Sequence, residues 1–183
     1  MHALNWGASD GDMTRVMAGD ATVPHPNYEN TMALEIEAAP AHLWPWLMQM
    51  GYRRGGLYSY DWLDRLFGHL DRPSATRVLP EFQTLREGDV VPLGRGAGLT
   101  VRTIDPERAL VLGGTDGDFQ WIWEFGLYPI APGRTRLVSR GRAHVPGTWR
   151  WRVFMALLAP AAFLMTRRML LGLQRRAETL ARS

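Results

Sequence analysis

The sequence predicts an α+β domain in which a curved antiparallel sheet wraps around one long C-terminal helix and leaves a cavity between them. Two observations predict this architecture. Short strand patterns separated by turn residues follow one another from residue 90 to residue 142, and apolar residues recur at helical spacing through residues 149–181. A helix with a continuous apolar face has to bury it, and one side of the sheet is the large surface available.

The composition is that of an ordinary globular protein. The 183 residues are 46% hydrophobic and 21% charged, and the absence of cysteine excludes disulfides and thiolate metal sites. Residues 1–139 carry 12 arginines and 17 acidic residues, whereas residues 140–183 carry nine arginines and a single acidic residue, Glu178. This basic end fits a solvated helix face, which we favour, or a contact with an anionic ligand, an acidic surface or lipid headgroups.

Residues 1–29 are predicted to be an extension that packs on a domain formed by residues 30–183. The extension contains scattered glycine and proline and shows no sustained period. It lacks the basic and apolar regions of a secretion signal, so we expect a cytoplasmic protein. The longest apolar run, Val153–Met165, has thirteen residues and contains Pro160. That is too short for a membrane span, and we expect a buried helix.

The first predicted elements are one strand and two short helices. Residues 31–37 alternate between apolar and polar side chains, as in a strand with one wet face. A helix is expected from Pro40, with a distorted early turn at Pro45. A second helix is expected after Ser59, whose hydroxyl would cap it. The segment that follows is rich in loops, with a short strand near residues 77–79.

Five further strands are predicted in the second half of the chain. Their expected ranges are 90–93, 99–104, 109–113, 119–127 and 134–142. Short turns between successive strands indicate an antiparallel meander. In the strand over residues 119–127, the side chains of Phe119, Trp121, Trp123, Phe125 and Leu127 share one face, which we expect to point at the C-terminal helix.

The order strand, helix, helix, strands, long helix resembles the START-like helix-grip superfamily, also called SRPBCC, which includes lipid-transfer domains and polyketide cyclase/dehydrase-like proteins. The likeness covers about residues 30–181. The stretch IEAAPAHLWPWLMQMG resembles the superfamily's first strand and first short helix, RGGLYSYDWLDRL resembles the second short helix of a bacterial subgroup, and LTVRTIDPERALVL is similar to a strand–turn–strand of many members. The resemblance implies a ligand cavity and no particular catalytic constellation.

The candidate ligand contacts come mainly from the aromatic strand. Its apolar face can be plain core packing or a cavity wall, and we expect at least one of its tryptophans on the wall. The complete set of candidate ligand-binding residues is Tyr58, Tyr60, Trp62, Phe119, Trp121, Trp123, Phe125, Leu158 and Met165.

Four polar residues are weak catalytic candidates: Tyr58, Tyr60, Asp61 and Arg140. The tyrosine hydroxyls could bind a ligand carbonyl or their rings could simply pack, and Asp61 could act as a base or, as we favour, support the first turn of its helix. Arg140 shares a strand face with Arg142. An inward face would bring a carboxylate or phosphate ligand to this pair, and an outward face, which we favour, would leave the pair in solvent.

The sequence offers little support for other kinds of site. The five histidines lack metal-ligand spacing, so we expect neither a metal nor a cofactor. No groove-reading motif accompanies the basic helix, so nucleic acid is not an expected partner.

Three functions remain compatible with the sequence. The leading interpretation is non-covalent binding or transport of a small hydrophobic molecule, aromatic or lipid-like, inside the cavity. The first alternative is an enzyme of the cyclase or dehydratase type that acts on a polyketide-like or aromatic substrate. The second is a membrane-surface interaction module that uses the basic C-terminal helix. We favour a protein without catalytic activity.

Overall fold

One six-stranded antiparallel sheet forms the frame of the molecule. The computed structural model describes residues 5–96 and 98–183. The strands are β1 (Tyr28–Ile36), β2 (Val90–Pro92), β3 (Gly98–Asp105), β4 (Ala109–Asp116), β5 (Phe119–Ala131) and β6 (Arg134–His144). Their order across the sheet is β1-β6-β5-β4-β3-β2, so the last five form the predicted meander and β1 pairs with β6.

In the described part of the chain, four α-helices accompany the sheet. They are α1 (Asp10–Thr14), α2 (Pro40–Met48), α3 (Asp61–Leu66) and α4 (Trp149–Ala181). The second half of α4 and the apolar side of α2 join one core cluster with β5, and we call the side of the sheet that takes part in it the inner face. A curved antiparallel sheet closed around a long C-terminal helix is the helix-grip fold, so the predicted fold class is confirmed.

Two local predictions between α2 and β2 are wrong. Residues 77–79 form no strand, because Pro80 lacks a backbone donor and instead begins a 3-10 turn, Pro80–Phe82. Ser59 does not cap α3. The N-cap residue is Tyr60, and the Ser59 hydroxyl accepts a hydrogen bond from the Tyr60 backbone N–H at 2.6 Å.

The first half of α4 is not the buried helix that its apolar sequence predicts. Met169, Leu173 and Ala177 are buried in the core, but Leu157 is 75% exposed. A helix of 33 residues is about 50 Å long at a rise of about 1.5 Å per residue, and the sheet and α2 bury mainly its second half. By length and composition alone, this described helix could also cross a membrane, a test that core helices pass as well.

We call residues 5–27 the N-terminal segment. Trp6 pairs with Met32 at the edge of the sheet, and residues 9–23 lie on the opposite side of the sheet, which we call the outer face. Ser9 begins α1 with a capping box, in which its hydroxyl accepts from the Asp12 backbone and the Asp12 carboxylate accepts from the Ser9 backbone. Burial alone would raise the pKa of Asp12, but hydrogen bonds from Arg136 of β6 and from Ser9 outweigh it and lower the pKa to about 2. This ion pair ties α1 to the sheet.

Arg140 and Arg142 point to the outer face, and the expectation that both are in solvent is wrong. Arg140 is only 2% exposed. Its guanidinium donates to the backbone carbonyls of Asp12 and Arg15 at 2.6 and 2.8 Å and to the carboxylate of Asp20 at 2.8 Å. The N-terminal segment covers this charge, which is tolerated there because it is paired and hydrogen-bonded.

Candidate functional site

The aromatic residues of β5 form a ladder along the inner face, as their alternation predicts. The rings of Trp121 and Trp123 stack with centroids 6.4 Å apart, and those of Trp123 and Phe125 lie 4.9 Å apart. Phe119 stacks on Trp151, from the first turn of α4, at 5.0 Å. This stack joins the start of the strand to the start of the helix.

The aromatic ladder is fully buried at one end and partly exposed to solvent at the other. Phe125 and Leu127 are fully buried, whereas Phe119, Trp121 and Trp123 retain partial exposure. The strand therefore leaves the core gradually towards the first half of α4. Aromatic surface that stays accessible beside a packed core is a typical lining of a ligand site.

The side of α4 that faces the sheet opens in the same direction. Leu158, Met165 and Met169 are spaced by seven and four residues, which places them on one side of the helix. Met169 is 1% exposed, Met165 is half-buried and Leu158 is 43% exposed. We call these two partly exposed apolar surfaces, Phe119–Trp123 of β5 and the side of α4 with Leu158 and Met165, the aromatic groove.

One polar pair lies beside the aromatic groove. The indole N–H of Trp123 donates to the Ser139 hydroxyl of β6 at 3.0 Å. The indole is thereby fixed against the sheet, and the hydroxyl keeps acceptor capacity for a ligand donor.

Tyr58 does not reach this groove. It is buried in the core, where its hydroxyl donates to the Trp46 carbonyl at 3.0 Å and its ring meets the Trp46 indole edge-on at 6.1 Å. Burial raises the pKa of Tyr58 above its usual value, so the hydroxyl stays protonated. Its role in the structure is to hold α2 against the core.

Tyr60, Asp61 and Trp62 lie in a separate cleft of about 500 Å³ between α3 and α4. Trp62 is 67% exposed. The carboxylate of Asp61 accepts hydrogen bonds from the backbone N–H and the hydroxyl of Ser74, at 3.0 and 2.7 Å. Asp61 therefore anchors the loop that contains Ser74.

The same cleft has a cationic lining that our sequence analysis did not identify as a site. The lining consists of Arg65, Arg168, Arg175 and Arg176. Burial lowers the pKa of Arg176; Tyr58 and Asp61 raise it, and the neighbouring Arg175 and Arg168 lower it further. In the sequence, the signal for this lining was the spacing of seven and eight residues from Arg168 to Arg175 and Arg176, because such positions share a helix face. The partner element, α3, became evident only in three dimensions.

The four polar candidates for catalysis do not meet in the aromatic groove. Tyr58, Tyr60 and Asp61 line the α3–α4 cleft, where Tyr58 is buried, and Arg140 is on the outer face beneath the N-terminal segment. Among the described residues, no group of three or more histidine, aspartate or glutamate side chains could hold a metal ion.

A second cleft, of about 650 Å³, lies on the outer face between the N-terminal segment and β5, with Val16 and Tyr128 in its lining. Glu124 borders it and accepts a hydrogen bond from the Gly19 backbone N–H at 3.0 Å. Burial raises the pKa of Glu124, and Asp20 raises it further, against the opposing effect of the Gly19 bond. We interpret this cleft as the boundary along which the N-terminal segment packs against β5.

Asp64, on the inward side of α3, makes the stability of the protein depend on pH. It is fully buried, and neither of its carboxylate oxygens has a hydrogen-bond partner among the described residues. Burial raises the pKa of Asp64 to about 6. The folded state therefore binds this proton more tightly than the unfolded state, and its stability falls as pH rises through the window between about 4 and 6.

We expect Asp64→Asn to raise the free energy of unfolding by about 1–3 kcal/mol at about pH 8 and to change it little below about pH 4. Urea titrations at several pH values measure this difference. Asp118→Asn, at an exposed turn position, is the matched control and should give no pH-dependent gain. A gain that is the same at all pH values would contradict the assignment of the ionised carboxylate as its cause.

Comparisons with known proteins concern the fold. No protein-family model matches the chain, and no curated protein matches it. Among solved structures, the protein MLL2253 from Mesorhizobium loti is 17% identical, with 81% of this chain and 97% of that chain covered and a TM-score of 0.46. TTHA0849 from Thermus thermophilus is 15% identical, with 82% and 97% covered and a TM-score of 0.47. CalU16 from Micromonospora echinospora is 17% identical, with 84% and 87% covered and a TM-score of 0.39.

Proposed function

We propose that this helix-grip protein binds a small hydrophobic molecule, flat and aromatic or lipid-like, in the aromatic groove between β5 and the first half of α4. One observation carries the proposal. The groove's two walls lose burial in the same direction, from Phe125 to Phe119 on the strand and from Met169 to Leu158 on the helix. Apolar surface that stays accessible on two neighbouring elements beside the core can bind an apolar ligand.

Burial of apolar surface would supply most of the affinity. A flat ligand that covers about 200 Å² of apolar surface, the area of one large aromatic side chain, gains roughly 5 kcal/mol before the cost of immobilising it. Offset stacking on the Trp121 and Trp123 rings favours aromatic ligands over purely aliphatic ones. The Ser139 hydroxyl beside Trp123 would orient one polar group of the ligand.

Binding and release fit the groove better than catalysis does. The polar residues that a cyclase or dehydratase would need do not converge on it, because Asp61 is bonded to Ser74 and Arg140 to the N-terminal segment. We therefore propose a carrier or a binding protein, and we place its action in the cytoplasm, as the sequence predicts.

The binding of Nile red, a neutral fluorescent aromatic dye, tests this proposal. We expect the dye to bind the intact chain and Trp123→Ala to weaken its affinity about tenfold or more, because the variant removes the central ring of the ladder. Titration of the dye's fluorescence measures the dissociation constant. Native mass spectrometry of the purified protein would identify a ligand that co-purifies.

Trp62→Ala is the matched control, because Trp62 is an exposed tryptophan outside the groove. Its dissociation constant for Nile red should stay within about twofold of the parent chain's value. A tenfold change, the effect expected of Trp123→Ala, corresponds to about 1.4 kcal/mol of binding free energy. Circular dichroism verifies that both variants are folded. Equal affinities of the parent chain and a folded Trp123→Ala variant would refute binding in the aromatic groove.

A further inference from the structure

The side of α4 that faces away from the groove carries an exposed apolar stripe. Trp149, Val153, Leu157 and Leu164 follow one another at spacings of four, four and seven residues, so they share one face of the helix. Trp149 is 73% exposed and Leu164 is 54% exposed. Single exposed apolar residues are ordinary, but a continuous stripe along several helical turns indicates an interaction surface.

Arginines stand at both ends of this stripe. Arg150 follows Trp149 at its start, and Arg167 and Arg168 follow Leu164 at its end, all on α4. The side chains of Arg150 and Arg167 are exposed. The only acidic residue of α4 is Glu178, one turn from its C-terminal end. An apolar surface with basic ends is complementary to a layer that is apolar inside and anionic at its surface.

The stripe also leads directly into the arginine-lined cleft. Arg168 and Arg175 lie four and eleven residues after Leu164, on the same face of α4. The Nε of Arg168 is buried and has no hydrogen-bond partner among the described residues, and its guanidinium lies over the Tyr60 ring at 5.5 Å. On the other wall of the cleft, Arg65 is exposed.

The neighbouring α3 extends the apolar surface. The exposed apolar residues of α3 and its C-terminal boundary are Trp62, Leu66 and Phe67. Trp62 lines the cleft that Arg65 shares with α4, and Leu66 and Phe67 follow it four and five residues later. One surface thus combines apolar side chains from two helices with arginines between them.

We propose that the surface formed by α3 and the exposed stripe of α4 docks on an anionic phospholipid membrane, with a lipid phosphate in the arginine-lined cleft. Arg168 and Arg175 bind the phosphate oxygens, as planar guanidinium groups do. Leu157 and Leu164 enter the acyl boundary, and Trp149 lies at the headgroup level. The docked surface is separate from the aromatic groove, so the proposal does not depend on the ligand proposed there.

In this proposal α4 lies at the membrane surface, although the whole helix is long and apolar enough to cross a bilayer. Fourteen residues without charge separate Arg152 from Arg167, and at about 1.5 Å per residue they span about 21 Å. The hydrocarbon core of a bilayer is about 30 Å thick, so this segment is too short for it. The opposite side of α4 is also engaged with the sheet, through Trp151 and Met169.

A second copy of the chain is a poorer partner for this surface. Antiparallel pairing of two α4 helices about the middle of the stripe would place Arg150 of one copy near Arg167 and Arg168 of the other. No acidic residue lies near the stripe on α4 to offset this repulsion. Anionic lipid headgroups supply the missing charge.

Co-sedimentation of the full chain with lipid vesicles tests the proposal. We expect binding to vesicles that contain phosphatidylglycerol, weak binding to phosphatidylcholine alone, and a loss of binding with added salt. Leu157→Asp should weaken binding at least about tenfold, because it places a charge where an apolar side chain enters the membrane. Arg168→Gln and Arg175→Gln should each weaken it about fivefold, the equivalent of about 1 kcal/mol per arginine near the surface.

Ile130→Asp is the matched control, because it puts the same charge at an exposed apolar position on β5 outside this surface. It should sediment with phosphatidylglycerol vesicles like the parent chain. Circular dichroism of each variant verifies an intact fold without reference to the aromatic groove, so failure of one proposal can be told apart from failure of the other.

Three results would overturn membrane docking. The first is the absence of sedimentation with phosphatidylglycerol vesicles. The second is equal binding by the Leu157→Asp and Ile130→Asp variants. The third is a dimer in analytical ultracentrifugation that Leu157→Asp dissociates while the parent chain binds no vesicles, which would assign the stripe to self-association.

Discussion

Replacement of Arg140 by leucine is expected to lower the free energy of unfolding by about 3–5 kcal/mol, because it removes the positive partner of a buried ion pair. The guanidinium donates to the backbone carbonyls of Asp12, Met13 and Arg15 and to the carboxylate of Asp20. Leucine fills part of the space but leaves these acceptors without donors under the N-terminal segment. We expect the N-terminal segment, residues 5–27, to detach from the sheet at a lower urea concentration than that at which the sheet itself unfolds.

Urea titration gives the free energy of unfolding, and limited proteolysis reports whether the N-terminal segment has detached. Arg142→Leu is the matched control. Arg142 also pairs with Asp20, at 2.9 Å, but its side chain is 16% exposed and lies at the rim of the segment. We expect it to cost about 1 kcal/mol. A loss below 1 kcal/mol for Arg140→Leu would show that this guanidinium does not hold the segment.

The substitution Gly172→Ala in α4 is expected to destabilise the protein by about 2–3 kcal/mol, although alanine is the better helix former. Alanine gains about 1 kcal/mol of helix propensity over glycine. A methyl group at position 172 would overlap the backbone carbonyl oxygen of Tyr58 and lie 3.0 Å from its Cβ. Tyr58 is a non-glycine residue in the left-handed region, with a φ of 57°, and its hydroxyl is bonded to Trp46. It therefore cannot move aside without a further loss of stability.

Gly147→Ala is the matched control, because a methyl group there meets no atom within 4 Å and the position precedes α4. It should change the free energy of unfolding by less than about 0.5 kcal/mol. Thermal and urea unfolding of both variants measure the difference. Gly172→Ala with unchanged or increased stability would mean that α4 can shift away from Tyr58 without loss of packing.

Close packing at Gly172 also supports the α3–α4 cleft. Tyr58 lies three residues before α3, and the guanidinium of Arg176 lies over its ring at 4.6 Å from the ring centroid. Arg176 in turn donates to the Ala75 carbonyl at 2.8 Å. Displacement of α4 at this point would therefore move one cationic wall of the cleft relative to the other.

The periodicities of the sequence predicted most of the fold. Alternation in β5 identified the face that meets α4, and the short turns identified the meander. These patterns are reliable because side-chain direction follows from backbone geometry over a few neighbouring residues. The expected range of β5 ends at Leu127, four residues before the observed end at Ala131, because strand ends are decided by pairing with β6.

The candidate site was predicted less completely. The sequence identified the ladder residues and the helix residues Leu158 and Met165, and their role as ligand contacts stays a prediction that the Nile red experiment tests. The arginine-lined cleft was missed because Arg65 and Arg168 are about a hundred residues apart, and their proximity depends on how α3 packs on α4. The extent of an N-terminal extension over residues 1–29 also stays a prediction, and its residues 1–4 lie outside the described part of the chain.

By itself, the sequence determined the elements, the inward face of β5 and the separation of charge between the two parts of the chain, because these depend on local spacing and composition. The tertiary structure decided which apolar and charged residues are covered. Arg140 is buried because the N-terminal segment lies over it, and Leu157 is exposed because the sheet buries mainly the second half of α4. Burial depends on contacts between segments that are far apart in the sequence. Helical or strand periodicity is a local property and carries no information about those contacts.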